Sequence, residues 1–235
     1  MKKPIVITLL AALVLTSCDD GRIYEKEYEH HEEGRVARLT ARIAGASSWG
    51  NGYTLTLSGF TSDGYVSEIS KDITVDADGN ASLVLSGIPD NVTKLEVCVI
   101  NTIRKRIATF YEVAAPATTD TIEVRPDTLL NVGMYATIQQ QIFDLQCASC
   151  HAGTSWGAHL DLNAGKSHAA LVAQPSQMVS GALRVEAGKA ASSVLYQALA
   201  GTVSQTWRFD HSQIFASDPD GLQVIKDWIN GGAEE

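Results

Sequence analysis

The sequence is poor in proline, with 6 in 235 residues, poor in aromatics at 7%, and has only four cysteines. So little proline excludes a collagen-like repeat, and a 45% hydrophobic content excludes a wholly disordered chain. Apolar runs long enough for several membrane spans are missing. Clustered lysine and arginine are missing too. Lys and Arg total 18 against 27 Asp and Glu, a formal charge of -9, so a phosphate backbone meets no basic patch and no nucleic-acid partner is expected. Cys18, Cys98, Cys147 and Cys150 are too unevenly placed to form the disulfide framework of a small secreted domain, so each needs its own explanation. The length suits two domains of roughly 100 residues each.

Lys2 and Lys3 precede an apolar run from Ile5 to Leu15, too short to span a bilayer comfortably and laid out like a signal peptide. Leu15-Thr16-Ser17-Cys18 follows and resembles the bacterial lipobox. That resemblance implies a signal peptide over 1–17, a lipid-modified Cys18 as the first mature residue, and a protein anchored to a membrane of the cell envelope without spanning it. The next stretch, 18–35, is acidic with almost no aliphatic residues, which suits a flexible tether. His30 and His31 lie there among Glu29, Glu32 and Glu33, and a solvated charge run accounts for them better than a metal site does.

From 36 to 127 the pattern changes to period two. Ala37, Leu39, Ala41 and Ile43 alternate with Arg38, Thr40 and Arg42, and Tyr53, Leu55 and Leu57 repeat the motif of a half-buried strand. Asp63-Gly64 and Asp78-Gly79 suit tight hairpins, and further strands are expected at Ala81 to Ser86, Lys94 to Ile100, Arg106 to Tyr111 and Thr121 to Val124. About seven strands at this spacing predict an Ig-like all-β sandwich. Asp76, Asp78 and Asn80 echo part of a calcium loop, but no glutamate follows at the required spacing and the hairpin explains the same residues. Cys98, between Val97 and Val99, reads as a small buried hydrophobe. This half could be a spacer, or bind a glycan or another envelope protein.

Residues 128–135 read as a linker. Ile138, Ile142, Phe143 and Leu145 then recur at helical spacing and lead into Cys147-Ala148-Ser149-Cys150-His151. C-x-x-C-H is the signature for covalent attachment of c-type haem. Two thiols about one helical turn apart can each add to a porphyrin vinyl group, and the adjacent imidazole can then bind the iron. A thioredoxin-like motif would follow a strand, whereas here a helix precedes it. A structural zinc site needs a second ligand pair, and His159 and His168 are scattered singles.

From Ile138 to Ala233 the chain resembles a single-haem cytochrome c domain of a bacterial group often appended to larger secreted or lipid-anchored proteins. The resemblance rests on Ile142-Phe143 before the haem motif, Leu160-Asp161-Leu162 after it, Ser193 to Tyr196 leading to Leu199-Ala200-Gly201, and Leu222 to Ala233. It implies an all-α cytochrome c fold over 136–235, with the first and last helices packed beside one haem c. Asp218 as N-cap, Pro219 at the first helical position and Gly231 at the end mark the last helix, whose apolar face is Leu222, Ile225, Trp228 and Ile229.

Relatives of this group place a methionine between the Leu-Ala-Gly stretch and the final helix as second axial ligand. This chain has none there, and His211 occupies the corresponding place. The expectation is a bis-histidine iron held by His151 and His211, with Met178 as the main rival and Met134 and His168 weaker. Arg184, Arg208 and Trp207 are secondary candidates for the haem surround. The reading is a lipid-anchored, two-domain monohaem c-type cytochrome carrying one electron to a redox partner protein. The alternatives are a haem enzyme or gas sensor with an open distal site, and an envelope glycan- or protein-binding module with an appended redox domain.

Overall fold

The computed structural model describes residues 34–117, 120–152, 157, 159–203 and 207–235. The expected signal peptide, Cys18, His30 and His31 lie outside them.

The strands arise where alternation was densest. β1 (Arg35–Ala44) buries Ala37, Leu39, Ala41 and Ile43 and exposes the polar residues between them. β2 (Tyr53–Phe60), β3 (Ile69–Asp72), β4 (Asn80–Ile88), β5 (Lys94–Asn101), β6 (Arg106–Ala114), β7 (Ile122–Val124) and β8 (Leu130–Asn131) follow. They form two sheets. In the first, β4 and β7 flank β1, and β8 extends the same strand; β4 is antiparallel to β1, whereas β7 and β8 are parallel to it. The second is antiparallel in the order β3-β2-β5-β6, with Leu55 opposite Val99 and Leu57 opposite Val97. Leu39 and Leu85 of the first sheet share one apolar cluster with Leu57, Leu95 and Val97 of the second.

Three local expectations change. Arg35, placed at the end of the tether, belongs to β1 and is buried, its guanidinium donating to the carbonyls of Pro89, Val92, Ala115 and Pro116. The 76–80 turn is tight, with Gly79 at φ 83 and Asp76 Oδ1 accepting from the backbone N–H of Asp78 and Asn80. It closes no hairpin between its neighbours, because β3 pairs with β2 and β4 with β1. Residues 128–135 carry β8 and the start of a helix, and Val132 is fully buried.

The all-α cytochrome c fold expected for the C-terminal half is not what the chain adopts. Among the described residues there are four α-helices: α1 (Met134–Ile138), α2 (Ser167–Leu171), α3 (Val194–Leu199) and α4 (Pro219–Asn230). Only α4, at 12 residues, exceeds two turns. The rest is a π-helical stretch, short 3-10 turns and loops, and sheet is the main regular structure of the molecule. Glycines explain much of the interruption: Gly165, Gly181 and Gly188 all adopt positive φ, where a helix cannot continue.

Nor do two domains separate. Glu33–Glu235 is one compact unit. Its joints are specific: the Trp49 indole donates to Val132 O at 2.6 Å, Met134 N to Ser48 Oγ at 2.7 Å, and Tyr53 Oη to Asp227 Oδ2 at 2.7 Å, while Lys105 pairs with Asp220. Trp49, Tyr53 and Ile107 pack against both the sheet cluster and a second apolar cluster built around Ile138, Phe143, Ile225 and Trp228.

Candidate functional site

The segment carrying the cysteines begins as α1 and widens at once into a π-helix over Gln139–Cys147, where Ala148 N bonds five residues back to Phe143 O at 2.8 Å. Wider turns of this kind are rare and concentrate at functional sites. The widening also shifts the side chains. Ile138, Ile142 and Phe143 are buried as the helical spacing predicts, but Leu145 turns outward and is 72% exposed. Gln139 secures the segment: its amide donates to Leu162 O and Asp144 Oδ1, and its oxygen accepts from Ser167.

Beyond the π-helix the chain closes one turn. Cys150 N and His151 N both donate to Cys147 O, at 3.1 and 3.0 Å. The two cysteines therefore stand one turn apart, partly buried and not disulfide-bonded. Burial, then the neighbouring Cys150, pushes the Cys147 thiol up to about 11. Its resting form is the protonated thiol.

His151 is oriented by its own backbone surroundings. Its Nδ1 lies 3.1 Å from Gly157 O. A carbonyl can only accept, so Nδ1 carries the proton and the lone pair sits on Nε2, the arrangement that fixes a metal-binding tautomer. Gly157 is tightly placed: a Cβ there would fall 2.8 Å from His151 Nδ1 and 2.5 Å from Cys150 O. The loop is pinned on its far side by Leu162 N donating to His151 O at 2.7 Å.

His211 comes from the other end of the C-terminal half. It opens a 3-10 turn (His211–Phe215) capped by Asp210, whose carboxylate accepts from Ser212 N, Ser212 Oγ and Gln213 Nε2. Trp207 and Phe209 meet its ring edge-on at 5.5 and 5.1 Å. The His151 and His211 rings lie 6.1 Å apart between centroids, 33° from coplanar. Two imidazoles on opposite sides of one metal ion, with metal–nitrogen bonds of about 2.0–2.1 Å, have centroids about 6 Å apart.

Both histidines are held below the usual imidazole range. For His151 burial is the main cause, with the Gly157 carbonyl opposing it. For His211 burial leads, followed by His151, against smaller opposition from the Phe209 backbone and Asp210. Both are neutral at pH 7, as metal ligation requires.

Two features beside His211 suit a bound group. Among the described residues, Nδ1 of His211 and Nε1 of Trp207 are buried without a hydrogen-bond partner, and an orphaned buried polar atom of this kind costs roughly 1–3 kcal/mol unless a ligand meets it. A cavity of about 300 Å3 beside His211 is lined by Ala198, Gly201, Val203, Trp207 and Phe209, with Phe209 still 50% exposed. Cys147, Cys150, His151 and His211 are the residues that could hold a haem, and of these only His211 lines that cavity. Among the described residues no three His, Cys, Asp or Glu side chains are grouped to hold a bare metal ion, but axial ligation of a haem needs only two nitrogens.

The remaining candidates lie elsewhere. Met178 is 49% exposed in the 176–182 turn. Met134 is buried in the second apolar cluster. His168 Nε2 donates to Ala233 O at 2.7 Å and its ring packs on Tyr135. Arg184 spends its guanidinium on the carbonyls of Ala170 and His159. Cys98 is fully buried in β5, its thiol pushed up to about 12 chiefly by that burial. Sequence reading missed Gly157, and no local signal marks it, because its role depends on how the loop folds back over His151. No protein-family model matches this chain, and no curated protein matches it.

Proposed function

We propose that this protein is a c-type haem protein that carries one electron, held at a bacterial envelope membrane by lipid on Cys18. The observation that carries the reading is the pairing of the Cys147-x-x-Cys150-His151 turn with His211, 6.1 Å from His151 between ring centroids. Haem bound there supplies a one-electron ferric/ferrous couple.

The chain's own residues do the rest. Cys147 and Cys150, one turn apart, would hold the group covalently through their sulfurs. Gly157 O accepts the Nδ1 proton of His151, leaving Nε2 as the nitrogen that would bind the iron. Asp210 braces the turn that carries His211, the second imidazole that would bind it. If His151 and His211 both bound the iron, no coordination site would remain for a substrate, which would favour electron transfer over catalysis. Two histidines also favour the ferric state more than a histidine–methionine pair does. Trp207 and Phe209 pack edge-on against the His211 ring.

The test is spectroscopic. Protein matured with intact haem-attachment machinery should give a low-spin spectrum, no near-infrared methionine-to-iron band and no rapid carbon monoxide binding when reduced. Rapid carbon monoxide binding would favour the open-site reading, and a near-infrared band lost on Met178→Ala would move the ligand to Met178.

A further inference from the structure

We infer that a second binding site, for a neutral saccharide, lies in the cavity of about 690 Å3 where the 45–51 loop and the start of β2 face α1, the π-helix and the end of α4. Its walls include Trp49, Tyr53, Asn51, Gln140, Asp144 and Glu234. The volume is in the range of small-molecule sites, which combine aromatic surface with a few polar groups.

Two aromatic rings are fixed in place by their polar ends. The Trp49 indole N–H is tied to Val132 O and the Tyr53 hydroxyl to Asp227, with the rings 5.3 Å apart between centroids. What these side chains present to the cavity is therefore preorganised apolar ring surface, suited to the C–H face of a sugar. The amides of Asn51 and Gln140 are exposed and, among the described residues, have no side-chain hydrogen bond. Each amide offers donors and an acceptor, which matches hydroxyl groups that do both.

Charge decides against the other ligand classes. Among the described residues no lysine, arginine or histidine lines the cavity, so phosphates and other anions meet no counter-charge and are repelled by the carboxylates of Asp144, Asp227, Glu234 and Glu235. A simple organic cation would use the carboxylates and rings but leave the amide donors unmet. A polyol uses all three.

The test is isothermal titration, with saturation-transfer NMR, on the full mature chain. The probes are maltose, cellobiose, mannobiose and N,N'-diacetylchitobiose, with tetramethylammonium and glucose 6-phosphate as controls. At least one disaccharide should bind with a millimolar or better Kd while the controls do not. Asn51→Ala and Gln140→Ala remove exposed side chains and should each weaken binding by about two- to tenfold, the worth of one hydrogen bond. Trp49→Ala should abolish it. The proposal is overturned if no disaccharide binds, if tetramethylammonium binds in their place, or if binding ignores both amide variants. None of these readouts depends on haem.

Discussion

In the sheets, Leu39, Leu57, Leu95 and Val97 are fully exposed to one another and not to solvent, and even the buried carboxylate of Glu96 is met by Arg106 at 2.6 Å, Lys94 at 3.0 Å and Thr109. Arg35 leaves its Nε orphaned there but spends both terminal nitrogens on carbonyls. In the C-terminal half, short helices end in loops, and Trp207 Nε1 and His211 Nδ1 are buried with no partner among the described residues. The difference separates two uses of sequence. The sheets settle nearly all their polar groups internally, Arg35 Nε excepted, whereas the C-terminal half leaves two ring nitrogens near the cysteine–histidine motif unpaired among the described residues.

The sharpest way to break this comparison is to remove the thiols. Cys147→Ser with Cys150→Ser should abolish covalent haem entirely while leaving the β-sheet circular dichroism intact, since neither side chain belongs to the sheet cluster. A variant that still holds haem after denaturation would overturn the roles given to both residues.

A core deletion in the sheets tests whether the halves are independent. Leu39→Ala should cost about 2–5 kcal/mol of stability. Because Trp49, Tyr53 and Lys105 tie the sheets to the second cluster, denaturant melts followed by haem absorbance and by far-ultraviolet circular dichroism should still coincide. Two separated transitions would show that the halves unfold apart.

His211→Ala should act on the iron and spare the fold. The low-spin spectrum should give way to a form that binds carbon monoxide, and the reduction potential should rise by on the order of 100 mV. An unchanged spectrum would remove His211 from the iron.

The smallest expected effect is on pH dependence. His151 and His211 have lowered values in the folded chain, so the unfolded chain binds more protons as the solution is acidified. In the haem-free double serine variant, their contribution is complete above the ordinary imidazole value of about 6.5 and is lost as pH falls through the lower folded-state values. The melting temperature should drop over that window, and the drop should shrink with His211→Ala.

The strands were legible because alternation is a local signal: Ala37, Leu39, Ala41 and Ile43 fall on one face whatever their partners are. Partnership is not local. Nothing near residues 122–124 or 130–131 announces that they lie parallel to β1, nor that Arg35 reaches four distant carbonyls. The helical half was overread for a related reason. The 138–145 spacing fits an α-helix, but the π-turn slips the register and releases Leu145, and the positive-φ glycines at 165, 181 and 188 interrupt the all-α fold that the resemblance implied. At the site, the cysteines and His151 were legible as a motif. Their meeting with His211 depends on 59 intervening residues, and the orphaned Trp207 nitrogen is visible only once the chain is folded.

The most direct measurement is a pyridine haemochrome spectrum, with intact mass, on protein matured with haem-attachment machinery, then denatured and extracted with acidic solvent. A c-type spectrum and the mass of the mature chain plus one haem are expected. A colourless sample at apoprotein mass would contradict covalent haem at Cys147 and Cys150, and with it the proposed function.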